Sequence, residues 1–251
     1  MDDPQPSDPN GVTANSCGSG PAGLGMTRER ILDGTLRRML QRASPGMTLL
    51  TDAERAASLA AILDGRPDRD HGAWLFCYGS LIWNPTIAFD ETRVASVRGW
   101  HRAFCLQTRA GRGTPDLPGL VLGLAEGGAC TGVALHVAES TLVEELTIVW
   151  AREMVSGAYH PRWLALHAPD GTVFGHGIAF TMNQESSAYA GDLAREETIR
   201  RLAFAAGELG SSAEYLFRTR DGLRGHGIHD AEVESLSDQV AALQRAAATE
   251  A

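Results

Sequence analysis

The residues of this chain best suited to chemistry lie in two segments, Ser140 to Gly157 and Tyr78 to Pro85. In the first, Leu142, Leu146, Val149 and Trp150 recur at helical spacing. At about 100° per residue with Leu142 at zero, Leu146 falls near 40° and Val149 near 340°. On the same wheel Glu153 falls at about 20°, in the centre of the apolar stripe. Glu144, Glu145 and Arg152 fall at roughly 200°, 300° and 280°, on the side expected to face water. A carboxylate on an apolar face is desolvated unless paired, and desolvation raises its pKa toward that of a useful general base. A long side chain near a helix end can also snorkel outward or bind an arginine. The wheel alone therefore leaves a catalytic and a structural role for Glu153 open.

In the second segment the apolar run Trp74 to Tyr78 breaks at Gly79-Ser80. A buried strand that turns so sharply can aim successive backbone N–H groups into a cavity as a small oxyanion nest, or simply lead into a loop. Ser80 is a poor nucleophile candidate, because its surroundings are not G-x-S-x-G. His226-Gly-Ile-His229 lacks a carboxylate at matching spacing, so no metal is expected there. Gly18-Ser-Gly-Pro-Ala-Gly23 has the spacing of a dinucleotide fingerprint. With no strand before it and no βαβ pattern around it, it reads as linker.

These segments need elements to hold them. Apolar spacing predicts one helix over Thr27 to Gln41 and a second from Asp52 to about Gly65. Trp74–Tyr78 is expected to be a strand buried on both faces. Four further short strands are expected at Val94–Val97, Ala103–Thr108, Leu120–Leu124 and Thr131–Val137. Pro169-Asp170-Gly171 predicts a hairpin between Arg162–Ala168 and Thr172–Met182. Thr141 with Glu144, and Ser211 with Glu214, read as capping boxes opening helices. Val233, Leu236, Val240 and Leu243 define one face of a terminal helix. The fold class is α+β, with a compact, mixed, partly closed β-barrel flanked by helices. Residues 1–26, rich in Asp, Pro, Gly and Ser, are expected to be a disordered tail, and 27–70 a helical extension of a domain over 71–247.

Composition narrows the chemistry. All 22 basic residues are arginine, so Schiff-base, P-loop and serine–lysine mechanisms are excluded. A net charge of −9 argues against nucleic acid or an anionic membrane surface as partner. No apolar stretch is long enough for membrane insertion. Cys17, Cys77, Cys105 and Cys130 form no C-x-x-C pair, which with the absence of a secretory leader predicts a cytoplasmic protein.

The order Tyr78-Gly79-Ser80-Leu81-Ile82-Trp83-x-Pro85, Arg98-Gly99-Trp100-His101-Arg102, Gly111-Arg112-Gly113-Thr114, Pro118-Gly119, Thr131-Gly132-Val133-Ala134, Arg152-Glu153-Met154, Gly157-Ala158-Tyr159 and Glu214-Tyr215-Leu216-Phe217 resembles the ChaC-like γ-glutamylcyclotransferases over residues 73–243. The early helix around Glu54–Leu59 is similar to that of the longer bacterial members. The resemblance implies a small-molecule substrate, reduced glutathione, converted to 5-oxoproline and Cys-Gly with no cofactor and no metal. It puts the catalytic glutamate at Glu153, the residue singled out by the helical wheel.

Glu153 would take a proton from the γ-glutamyl α-amine, which then attacks its own γ-carbonyl. Nucleophile and electrophile share one residue, so holding the curled conformer supplies the proximity advantage. Tyr78, Gly79, Ser80 and Leu81 would bind the substrate and the developing oxyanion, and Tyr159 would line the pocket. With no lysine, Arg112 and Arg98 are the motif-borne candidates for a substrate carboxylate. Three positions depart from common family residues: Cys77 and Ala158 stand where glycine is frequent, Leu135 where tyrosine is. They bear on substrate affinity more than on reaction type. Two other readings stay open at this point. One is a cyclotransferase for other γ-glutamyl amines or peptides; the other is a non-catalytic regulatory module linked to cation transport.

Overall fold

The computed structural model describes residues 25–250 apart from 45 and 70. The glycine-rich pattern at Gly18–Gly23 and nearly all of the expected tail lie outside the described residues. The expected first helix is two, α1 (Arg28–Leu32) and α2 (Thr35–Ala43). Gly34 between them takes a φ of 75°, and the Asp33 carboxylate accepts the Thr35 N–H at 2.7 Å. A left-handed glycine behind an Asx turn ends one helix and starts the next without breaking the apolar spacing. Helix α3 (Asp52–Asp64) opens on a full capping box between Thr51 and Glu54.

Strand β1 (Ala73–Cys77) runs antiparallel to β3 (Gly119–Val137) and parallel to β5 (Val173–Met182). A neighbour on either side and packing on both faces explain its unbroken apolar sequence. The four short strands expected in the middle of the chain are two long ones, β2 (Glu91–Thr108) and β3, paired with each other along most of their length. Glycines that read as breaks are bulges. Gly99, Gly127 and Gly128 have φ of 80°, 101° and 68°, and the register shifts between Arg98 and Trp100. Bulges bend and twist a strand without ending it, which lets few strands close a barrel. Strand β4 (Tyr159–His167) joins β5 through the expected Pro-Asp-Gly hairpin, with Gly171 at φ 86°. The order β1-β3-β2-β4-β5 closes on itself as a mixed five-stranded barrel.

One face of these strands gathers Phe76, Val97, Leu122, Leu124, Leu166 and Ala179 into a buried cluster. The opposite face, with Leu75, Cys77, Val133 and Ile178, packs against Leu146, Val149 and Trp150 of α4 (Leu142–Glu153). The capping box expected at Thr141 does not form. The chain enters α4 through a 3-10 turn, Glu139–Thr141, and Glu144 pairs with Arg28 at 2.9 Å. The wheel also fails for two side chains. Glu145 and Arg152, expected to face water, are buried, because α1 and the loop after β1 cover the side of α4 away from the strands.

After β5 the chain forms α5 (Arg195–Phe204), which no sequence signal marked, and a minimal hairpin of β6 (Ala206–Gly207) and β7 (Gly210–Ser211). Helices α6 (Ser212–Gly225) and α7 (Ala231–Glu250) complete the fold. Ser211 caps the Glu214 N–H as expected, but the Glu214 carboxylate turns away to arginines, so only half the box is made. Val233, Leu236 and Val240 are the buried face of α7. No helix among the described residues is long and apolar enough to cross a membrane.

Candidate active site

Glu153 is the last residue of α4, just before Gly157 (φ 65°) turns the chain into β4. Its side chain is 15% exposed and lines a cavity of about 810 Å³. Burial pushes its carboxyl above the ordinary carboxylate range, and the Arg152 guanidinium beside it pulls the other way without cancelling the rise. Arg152 Nε lies 2.9 Å from Glu153 Oε1. The rest of that guanidinium donates to the Asn84 carbonyl at 2.5 Å, to Thr86 Oγ1 at 3.2 Å and to Ser80 Oγ at 2.8 Å.

The loop after β1 makes one 3-10 turn, Ser80–Ile82. Ser80 reaches the cavity wall, whereas Tyr78, Gly79 and Leu81 build the support behind it. The Tyr78 hydroxyl donates to the Phe180 carbonyl at 2.7 Å, and its own carbonyl accepts from Arg102 Nε at 2.6 Å. Leu81 is buried in the core. Gly79 is needed for space: a Cβ there would sit 2.7 Å from the Tyr215 hydroxyl. Thr86, at φ 60°, is the one non-glycine residue of the described chain with positive φ. A β-branched residue resists that conformation, and here it presents the hydroxyl that receives Arg152.

Three buried phenols surround the carboxylate. Tyr159 donates to the Leu122 carbonyl at 3.2 Å, while Tyr215 accepts the Leu122 N–H at 3.3 Å, so one backbone unit on β3 pins both. Burial raises the pKa of Tyr78, Tyr159 and Tyr215, which keeps all three protonated. Cys77, the departure immediately before the loop, packs on the α4 side of β1, where burial likewise raises its thiol. Its side chain fills core.

Of the two arginines expected to meet a substrate carboxylate, only Arg112 lines the cavity. Arg112 Nη1 donates to the Ser211 carbonyl at 2.9 Å and to Glu214 at 3.3 Å, and its guanidinium stacks over Trp83 and Tyr215. Ser212 Oγ accepts the Leu120 N–H and donates to the Arg112 carbonyl, tying the β2–β3 turn to the start of α6. Arg98 is exposed beside Gly171 at the tip of the β4–β5 hairpin and does not line the cavity. It lies on a bulge whose geometry the sequence reading did not include. His226 and His229 are both exposed, and the described residues contain no cluster of three or more metal-ligating side chains.

Sequence reasoning missed Arg152, Trp83, Asn84 and Tyr215 as site residues. Their signal was present, since each sits inside a motif, but the wheel placed Arg152 in solvent and nothing local linked Tyr215 to the loop after β1. It also missed Met26, whose carbonyl accepts from Asn84 Nδ2 at 2.8 Å and which lines the cavity beside Thr27. The assembled site offers a desolvated carboxylate with a raised pKa on the wall of a cavity that also has aromatic and arginine walls. That suits proton abstraction from a neutral or cationic nucleophile.

The family model described as ChaC-like protein matches residues 73–243. A glutathione-specific gamma-glutamylcyclotransferase of Escherichia coli (strain K12) is 43% identical over 199 residues, covering 79% of this chain and 84% of that protein. Glutathione-specific gamma-glutamylcyclotransferase 1 of Rattus norvegicus is 30% identical, over 72% of this chain and 82% of its own length. Among solved structures, a gamma-glutamyl cyclotransferase specific to glutathione from yeast superposes with a TM-score of 0.62 at 20% identity, covering 68% of this chain and 96% of that one. The family match over 73–243 and the 43% identity to a relative covered over 84% of its length show that this chain belongs to the ChaC-like protein family.

Proposed function

We propose that the chain is a cytoplasmic, glutathione-specific γ-glutamylcyclotransferase that releases 5-oxoproline and Cys-Gly, with residues 71–247 as the catalytic unit and 27–70 as its helical extension. The observation that carries this reading is Glu153, a desolvated carboxylate facing a cavity in a chain 43% identical to a relative of that activity. Glu153 takes a proton from the α-amine of the γ-glutamyl group. The freed amine attacks the γ-carbonyl carbon, forming the C–N bond of a five-membered ring. The protonated glutamate then gives its proton to the departing cysteinyl nitrogen as the original γ-amide C–N bond breaks. Folding the substrate for this intramolecular attack supplies much of the acceleration.

Ser80, at the cavity wall, with the backbone that Tyr78, Gly79 and Leu81 support, is our candidate for steadying the developing oxyanion. Tyr159 closes the wall near the γ-glutamyl group. Arg112 supplies cationic character for a peptide carboxylate in an otherwise acidic protein. No step calls for a metal, a cofactor or nucleic acid. The test is to incubate purified protein with reduced glutathione and, in parallel, with other γ-glutamyl amides, following 5-oxoproline and the released amine. Turnover of glutathione alone is the expected result. Turnover of other amides without glutathione would overturn the substrate assignment, and no 5-oxoproline from any of them would overturn the reaction.

A further inference from the structure

The reading above uses Glu153 but leaves unexplained the arginine next to it. Arg152 is a guanidinium with 7% of its side chain exposed, and burying a charge so far costs desolvation that one surface-type ion pair would not offset. Its four acceptors come from three places in the chain. Glu153 Oε1 belongs to the end of α4; Ser80 Oγ to the loop after β1; the Asn84 carbonyl and Thr86 Oγ1 to the segment that follows. Thr86 reaches its position only by adopting a left-handed backbone that β-branched residues avoid. A strained residue whose hydroxyl donates to the Pro85 carbonyl at 2.6 Å and accepts from Arg152 at 3.2 Å points to a contact that matters to the site.

We propose that Arg152 is the positioning residue of the reaction, holding Glu153 by one oxygen and fixing it against the Ser80 loop while Oε2 is left for the substrate amine. This rests on the cyclotransferase reading. The planar fork suits the task, since Nε serves the base while both Nη atoms serve the loop, a span a lysine ammonium cannot cover. The groups facing Glu153 from other elements are Cys77 on β1, Tyr78 just beyond it, Tyr159 on β4 and Tyr215 on α6. All four are neutral in the working pH range, because burial raises each of them. Arg152 is therefore the charge beside Glu153 that favours its ionised form against the effect of burial. Removing it favours the protonated carboxyl, so activity is lost first at low pH and is recovered as pH rises.

The experiment measures kcat and KM for glutathione from pH 6 to 9 in wild type, Arg152→Gln and Arg152→Lys. Alongside it, the Glu153 carboxyl is titrated by NMR in glutamate-labelled protein, assigned by difference from Glu153→Gln. We expect Arg152→Gln to lose about tenfold more activity near the acid end than near the alkaline end, with the Glu153 titration displaced upward by about one unit. We expect Arg152→Lys to keep the wild-type pH profile and lose about tenfold in kcat. Equal losses at both ends with an unmoved carboxyl titration would overturn the proposal. So would full kcat in the lysine variant, which carries the test if the glutamine variant does not fold. An inactive wild type would sink the cyclotransferase reading, while the titration of Glu153 with and without Arg152 still reports on the hold proposed here.

Discussion

Helix α4 buries two glutamates two turns apart, and they make a controlled comparison. Glu145 has 5% of its side chain exposed and is closed in by Arg28 at 2.6 Å and by the Ala88 N–H at 3.0 Å. Its partners come from α1 and the loop before β2, and it does not line the cavity that Glu153 lines. Glu153 has its own arginine at 2.9 Å, yet it opens onto the cavity and carries a raised pKa. Burial and an arginine partner are thus common to both. What separates the two in this helix is that Glu153 lines the cavity and Glu145 does not, the difference on which the proposed role of Glu153 as base depends.

The largest expected difference is in turnover. Glu153→Gln is expected to lose at least about a hundredfold in kcat, and Glu145→Gln to stay within about threefold of wild type. Next comes pH. A base must be ionised to act, so kcat/KM should fall about tenfold per unit as pH drops through the raised pKa of Glu153. That acid limb should be absent from the residual rate of Glu153→Gln. Stability should separate the two in the opposite direction. A carboxyl whose pKa is raised by folding binds more protons folded than unfolded, so its ionisation lowers stability as pH rises from the ordinary value through the raised one. Glu153→Gln should therefore leave the neutral-pH Tm unchanged or higher. Glu145→Gln should cost about 1–2 kcal/mol, through the weakened contacts to Arg28 and Ala88.

Two smaller effects sharpen the picture around the helix. Gly79→Ala, which drives a methyl against the Tyr215 hydroxyl, is expected to cost about 1–3 kcal/mol in denaturant unfolding. Arg112→Ala should raise KM for glutathione about tenfold, while Arg98→Ala, at a residue that does not line the cavity, should leave it within about twofold.

Much of this was legible in the chain before folding, and the misses have a common cause. The period-3.6 pattern located Glu153 because the strands that α4 packs against impose that pattern. The same wheel misplaced Glu145 and Arg152, because it assumes one dry face, and α4 has a second one formed by α1 and the loop after β1. Thr86 and Tyr215 were beyond reach for a different reason. Their roles depend on a left-handed turn and on contacts between the loop after β1 and α6, 136 residues apart in the case of Trp83 and Thr219, which a local pattern does not encode. The long strands were misjudged because a bulge glycine and a turn glycine look alike in sequence.

The most direct test measures turnover and Tm together for Glu153→Gln and Glu145→Gln in otherwise identical protein. The account predicts a crossing: Glu153→Gln inactive on glutathione with an undiminished Tm, Glu145→Gln active with a lowered one. A folded Glu153→Gln that still makes 5-oxoproline at the wild-type rate would contradict it.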